Sequence, residues 1–127
     1  MRFMMMVKAT KDSEAGVPPS PELTAAIGEL AEEGVKAGVL VDMEELAPTS
    51  QGARVRVARG KVSVTDGPFT EAKELVGGYA IIETKSKAEA IEIGKDLMKL
   101  HGDVLGPSYE GEVEIRQLVG PPDVGPT

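Results

Sequence analysis

Residues 3–7, Phe3-Met4-Met5-Met6-Val7, are apolar at every position. Strand side chains alternate between two faces, so this segment reads as a strand hydrophobic on both. Lys8 ends the run, and Thr10–Pro19, with Gly16, Pro18 and Pro19, reads as a loop. Ser20-Pro21 then opens a helix: Ser20 can cap a free backbone N–H, and proline at the first helical position forfeits no bond. Leu23, Ile27, Leu30 and Gly34 share one face, with Glu22, Glu29, Glu32, Glu33 and Lys36 opposite and Gly38 as the stop. Val39-Leu40-Val41 begins a second strand that fades over Asp42–Glu45. Residues 53–65 alternate strictly. Val55 and Val57 interleave with Arg54 and Arg56, and Val62 and Val64 with Lys61, Ser63 and Thr65, around an Arg59-Gly60 turn. That pattern predicts a hairpin with one apolar face and one basic, hydroxylated face.

Asp66-Gly67-Pro68-Phe69 breaks the hairpin sharply, and Thr70–Leu75 reads as a helical turn. Gly78–Thr84 is the next strand, apolar on both faces around Ala80-Ile81-Ile82. Ser86 and Glu89 make a capping pattern for a second long helix, whose Ala90, Ile93, Leu97 and Leu100 share a side. Gly102–Gly111 reads as a loop, and Glu112–Leu118 alternates as a last strand. The order is β-α-β-(β-hairpin)-β-α-β, a ferredoxin-like α+β plan with an antiparallel sheet and two helices on one face. The apolar character of residues 3–7 and 80–82 on both faces leaves a second sheet face to cover. A second copy of the chain, as a homodimer, is the expected cover. One domain is expected over residues 1–119, with 120–127 a flexible tail holding three prolines.

Composition narrows the function. The 127-residue chain carries 14 basic and 21 acidic residues, a net charge of −7, which argues against a nucleic-acid partner. It has no cysteine and one histidine, so redox CxxC chemistry and a histidine-rich metal site within one chain are excluded, and no metal is expected. Neither a G-x-G-x-x-G nor a phosphate-loop pattern occurs, so no dinucleotide or other cofactor is expected. No apolar run is long enough for a signal peptide core or a membrane span, so a cytoplasmic protein with no membrane partner is expected.

Candidate chemistry concentrates around one turn. Asp66 sits at a strand end, where a carboxylate suits general-base work or ligand binding, or simply forms the turn. Arg54 and Arg56 share a strand face and could fork onto a small acidic metabolite, or form a solvated surface. Glu71 follows the turn and could assist Asp66, or lie exposed. Tyr79 could offer a phenol to a pocket, or pack in the core with a tethered hydroxyl. His101 is the only side chain titrating near neutrality unperturbed. It could be catalytic, or a cation favoured by the helix end where the pattern places it.

The segment Thr65-Asp66-Gly67-Pro68-Phe69-Thr70-Glu71-Ala72-Lys73-Glu74-Leu75-Val76-Gly77-Gly78-Tyr79 resembles the DGPF-domain branch of the YCII-related proteins. Met1-Arg2-Phe3-Met4, Lys36–Leu40, Lys85–Ala90 and Glu112–Arg116 fit the same family, over residues 1–119. The resemblance implies bacterial origin, a poorly defined function, and a ferredoxin-like fold that pairs into a dimeric α/β barrel. Shorter relatives are proposed to use a first-helix histidine with an aspartate at the position of Asp66. Here the first helix, residues 21–37, contains no histidine, and only the aspartate has a counterpart. The expected function is a small-molecule-binding or regulatory homodimer with a pocket near the DGPF turn. The alternatives are a cofactor-independent lyase, isomerase or hydrolase-like enzyme with Asp66 as general base, and a structural interaction module.

Overall fold

The computed structural model describes residues 1–70 and 74–120. Strand β1 (Arg2–Lys8) is followed by a short helix α1 (Lys11–Glu14), a long helix α2 (Pro21–Lys36) and β2 (Leu40–Glu45). A 3-10 turn (Thr49–Gln51) leads to β3 (Ala53–Ala58) and β4 (Lys61–Asp66). Strand β5 (Val76–Glu83), helix α3 (Lys87–Leu105) and β6 (Val113–Gln117) complete the fold. The expected tail, 120–127, lies outside the described residues apart from Gly120.

The main sheet runs β2-β5-β1-β6, with every neighbour antiparallel. This is the ferredoxin-like order. Strand β1, apolar at every position from Phe3 to Val7, lies in the interior of the sheet with a partner on each side. Phe3 pairs with Ile82 and Gln117, and Met5 with Ala80 and Ile115. Alternation then sends Phe3, Met5, Ala80 and Ile82 to one face, where they form the buried core with Ala90 of α3. Val39, Leu40, Ile93, Leu97, Val113 and Ile115 pack around it. Gly94 lets α3 approach the sheet closely: a Cβ there would stand 2.9 Å from Ile115 Cδ1. Met4, Met6, Tyr79 and Ile81 take the opposite, helix-free face.

The caps follow the sequence. Ser20 Oγ accepts from Leu23 N–H at 3.1 Å, and Ser86 Oγ from Glu89 N–H at 3.1 Å. Three expectations need correction. The segment 10–19 is not all loop, because Thr10 and Ser13 cap each other reciprocally and support α1. Helix α3 continues past Gly102 to Leu105, so His101 is not at its end. The dimeric α/β barrel is overturned, since no sheet closes. The four-stranded sheet keeps two edges, β2 and β6, and four strands are too few to curl into a barrel. Among the described residues the hairpin adds no strand to that sheet, and β3 and β4 pair with each other.

That hairpin is therefore an arm. Its turn residues Arg59 and Gly60 both have positive φ, 53° and 76°, as a two-residue turn matched to strand twist demands. Val55 faces Val64 and Val57 faces Val62 across the pair. These four valines stay 65–70% exposed. No helix among the described residues is long and apolar enough to cross a membrane.

Candidate functional site

The DGPF turn lies at the root of the arm and is held from a distant segment. Gly67 N–H donates to Gly52 O at 2.9 Å, pinching the two ends of the arm together. Phe69 N–H donates to Thr49 Oγ1 at 2.9 Å. The Thr49 hydroxyl in turn donates to Glu14 Oε2 at 2.6 Å, while Thr49 N–H donates to Glu14 Oε1 at 3.1 Å. Both carboxylate oxygens of α1 are thus engaged, and charge-assisted bonds of this kind are the stronger class. Gly67 passes so close to the Thr49 carbonyl that any Cβ there would overlap it. Glycine at this position is a requirement of space.

Above this latch the Arg54 guanidinium lies over the Phe69 ring, 3.8 Å from its centroid. Stacking on the ring fixes the orientation of the flat guanidinium. Arg54 pairs with Thr65 and Arg56 with Ser63, so arginines and hydroxyls share the arm's polar face. Toward the tip Arg56, Arg59, Lys61, Ala58 and Ser63 line an open concavity of about 520 Å3. Residues 46–65 hold four basic side chains and no acidic one, in a chain whose net charge is −7.

Asp66 is set apart from these cations. It pairs with Ala53, two positions along from the Val55–Val64 pair, so alternation puts it on the valine side of the ribbon. It is exposed, and its carboxylate makes no hydrogen bond or ion pair among the described residues. The turn is shaped instead by Thr49, Gly52 and Gly67. Glu71 lies outside the described residues.

The remaining candidates occupy other places. Tyr79 stands on the open face of the sheet, and its hydroxyl donates to Asp42 Oδ2 at 3.1 Å. That bond to a carboxylate, helped by partial desolvation and by the charges of Asp42 and Glu44, pushes its pKa above 10.0. His101 is buried on α3. Its Nδ1–H donates to Leu97 O at 2.8 Å and its ring stacks on Tyr109 at 5.6 Å between centroids. Burial raises the pKa of Tyr109. Arg54, Arg56 and Asp66 thus share the arm, whereas Tyr79 and His101 stand in separate surroundings. Among the described residues, no three of His, Asp and Glu converge as a metal site would require.

Thr49 and Glu14 escape sequence reasoning. No local spacing links residues 35 positions apart, and α1 is too short to show a period. The reciprocal Thr10–Ser13 cap is the one signal that could have revealed α1.

A family model described as the YCII-related domain matches residues 1–100. The chain is also similar to the uncharacterized protein R00369 of Rhizobium meliloti strain 1021, 37% identical over 84 residues. That match covers 66% of this chain and 63% of the relative, so it spans just under two thirds of the relative's length.

Proposed function

The chain belongs to the YCII-related family, and from that premise we propose that it is a cytoplasmic homodimer that binds a small anionic metabolite on the polar face of the β3–β4 arm. Its Asp66-Gly67-Pro68-Phe69 turn supports a reading as a DGPF-type member of that family. One observation carries the reading: four cations and no acid fall within residues 46–65 of an acidic chain, and three of them line one concavity with Ser63. Clustered like charges repel one another, and an anion relieves that repulsion. Arg56 supplies planar donors for a carboxylate or phosphate group, and Arg54, held on Phe69, adds positive charge to the same face. Ser63 and Thr65 supply hydroxyls opposite them. The latch from Glu14 through Thr49 fixes the root, so the arm presents its face from a rigid base.

Isothermal titration calorimetry with inorganic phosphate and with citrate tests this. Saturable binding is expected, falling steeply with added salt and lost in the double variant Arg56→Gln, Lys61→Gln. Equal heats from wild type and double variant for both anions overturn it.

A further inference from the structure

Near the tip of the arm, long cations and small residues alternate like a checkerboard on the polar face. Arg56 pairs with Ser63, and two positions nearer the tip Ala58 pairs with Lys61. Each pair therefore sets a cation against a small residue, with the sides exchanged between the pairs. Arg56 and Lys61 are diagonal neighbours, about 7–8 Å apart at the backbone. Ala58 and Ser63 occupy the other diagonal and leave a hollow between the cations. Arg59, in the turn at φ 53°, stands at the tip end, and together these residues line the open concavity of about 520 Å3.

Among the described residues Arg56, Arg59 and Lys61 have no carboxylate partner, although the chain holds 21 acidic residues. Elsewhere cations find one: Lys8 reaches Glu114 at 3.0 Å, Lys36 reaches Glu32 at 3.6 Å and Lys95 reaches Glu92 at 3.1 Å. A carboxylate at the tip would occupy the hollow and compete with an incoming anion.

The donor set distinguishes between anions. Two guanidiniums and one ammonium border the hollow from β3, the turn and β4, and the Ser63 hydroxyl is a further donor beside Ala58. A carboxylate offers two oxygens in one plane and a single charge. It suits one guanidinium and leaves the other cations unneutralised. The phosphoryl group of a monoester carries nearly two charges near neutral pH and spreads three acceptor oxygens in three directions. Its ester oxygen then points out through the open mouth.

We propose that this hollow seats the terminal phosphoryl group of a small phosphate monoester, above Ala58 and Ser63 and between Arg56, Arg59 and Lys61. The inference rests on the anion-binding reading above and names the group bound. Ala58 sets the fit: its methyl group leaves room for the oxygens, and a longer side chain there fills the seat without removing a charge. The site grips the phosphoryl head and leaves the rest of the ligand in solvent.

Isothermal titration calorimetry at about pH 7.5, where the monoester is a dianion, compares methyl phosphate with malonate, dimethyl phosphate and acetate. The proteins are wild type, Ala58→Leu and Ala58→Ser. Methyl phosphate is expected to bind wild type about tenfold more tightly than malonate, which matches its charge but not its shape, and more tightly still than the two monoanions. Ala58→Leu should lose about tenfold for methyl phosphate, and Ala58→Ser should keep the wild-type affinity. Nuclear magnetic resonance of the wild type needs no variant to fold: added methyl phosphate should shift the amides of Ala58, Arg59, Gly60, Lys61 and Ser63. Malonate or dimethyl phosphate binding as tightly as methyl phosphate overturns the phosphoryl assignment and leaves the anion reading standing. Shifts that spare residues 58–63, or a folded Ala58→Leu that binds methyl phosphate as wild type does, overturn the seat on Ala58. No binding of any of these anions, nor of inorganic phosphate or citrate, overturns the anion reading and this inference together.

Discussion

Replacing Thr49 by valine tests whether the latch fixes the root of the arm. Valine keeps the β-branched shape but removes the hydroxyl. Two bonds go: the one Phe69 N–H donates, 2.9 Å, and the one given to Glu14 Oε2, 2.6 Å. A neutral hydrogen bond contributes about 1 kcal/mol net and one to a carboxylate about 2. Both sites are partly buried, and water takes over part of the loss, which leaves a cost of about 1.5 kcal/mol. With an unfolding entropy of about 2.1 cal/mol/K per residue, this lowers the melting temperature by about 5–6 °C. Calorimetry measures the shift. A double-mutant cycle with Glu14→Gln isolates the Thr49–Glu14 coupling, expected to be about 1 kcal/mol. Amide hydrogen exchange at Phe69 should quicken in Thr49→Val while amides of β1 and β5 stay protected. Unchanged melting together with unchanged Phe69 exchange would refute the latch, and with it the claim that the arm stands on a rigid base.

The other predictions concern Asp66 and Tyr79. Asp66→Asn should shift stability by no more than about 0.5 kcal/mol, since an exposed carboxylate with no bond to the described residues has little to lose. It should also bind phosphate as the wild type does, because Asp66 lies across the ribbon from Arg54 and Arg56. A binding loss at unchanged melting contradicts that separation of faces. Asp42→Asn, in a Tyr109→Phe background, should lower the Tyr79 pKa toward 10.0, followed by ultraviolet absorbance. The native value lies above the unfolded one. The stabilisation is therefore present below pH 10 and lost as pH rises through the native value. A Tyr79 titration identical in both proteins rules out the Asp42 bond as its cause.

Hydrophobic period made the main sheet and both long helices legible. A run such as Phe3–Val7 has no place except between two strands and under a helix layer. The caps at Ser20 and Ser86 were legible because they act over three residues. The hairpin was legible as an element but not as an arm. Alternation fixes which residues share a face and is silent on what lies against that face. The resemblance suggested a closed barrel, whereas strand count and free edges decide closure. Asp66 shows a different limit. An aspartate before Gly-Pro suits a turn that bonds its own backbone, yet Thr49 performs that service from outside the segment. Gly102, a poor helix former, makes His101 read as a helix end, whereas the helix runs on to Leu105 with His101 packed on Tyr109.

The interior place of β1 has a consequence for synthesis on the ribosome. Phe3 finds its partners in Ile82 and Gln117, which are made long after it. Contacts this distant in sequence form slowly. Until β5 and β6 emerge, Phe3-Met4-Met5-Met6-Val7 is a nascent apolar strand with no ladder to join, the kind of segment that invites aggregation and chaperone capture. The β3–β4 arm closes its pairs locally and can form before that wait is over. A stalled nascent chain ending before β5 should therefore bind a holdase chaperone through residues 3–7, and one extended beyond β6 should release it.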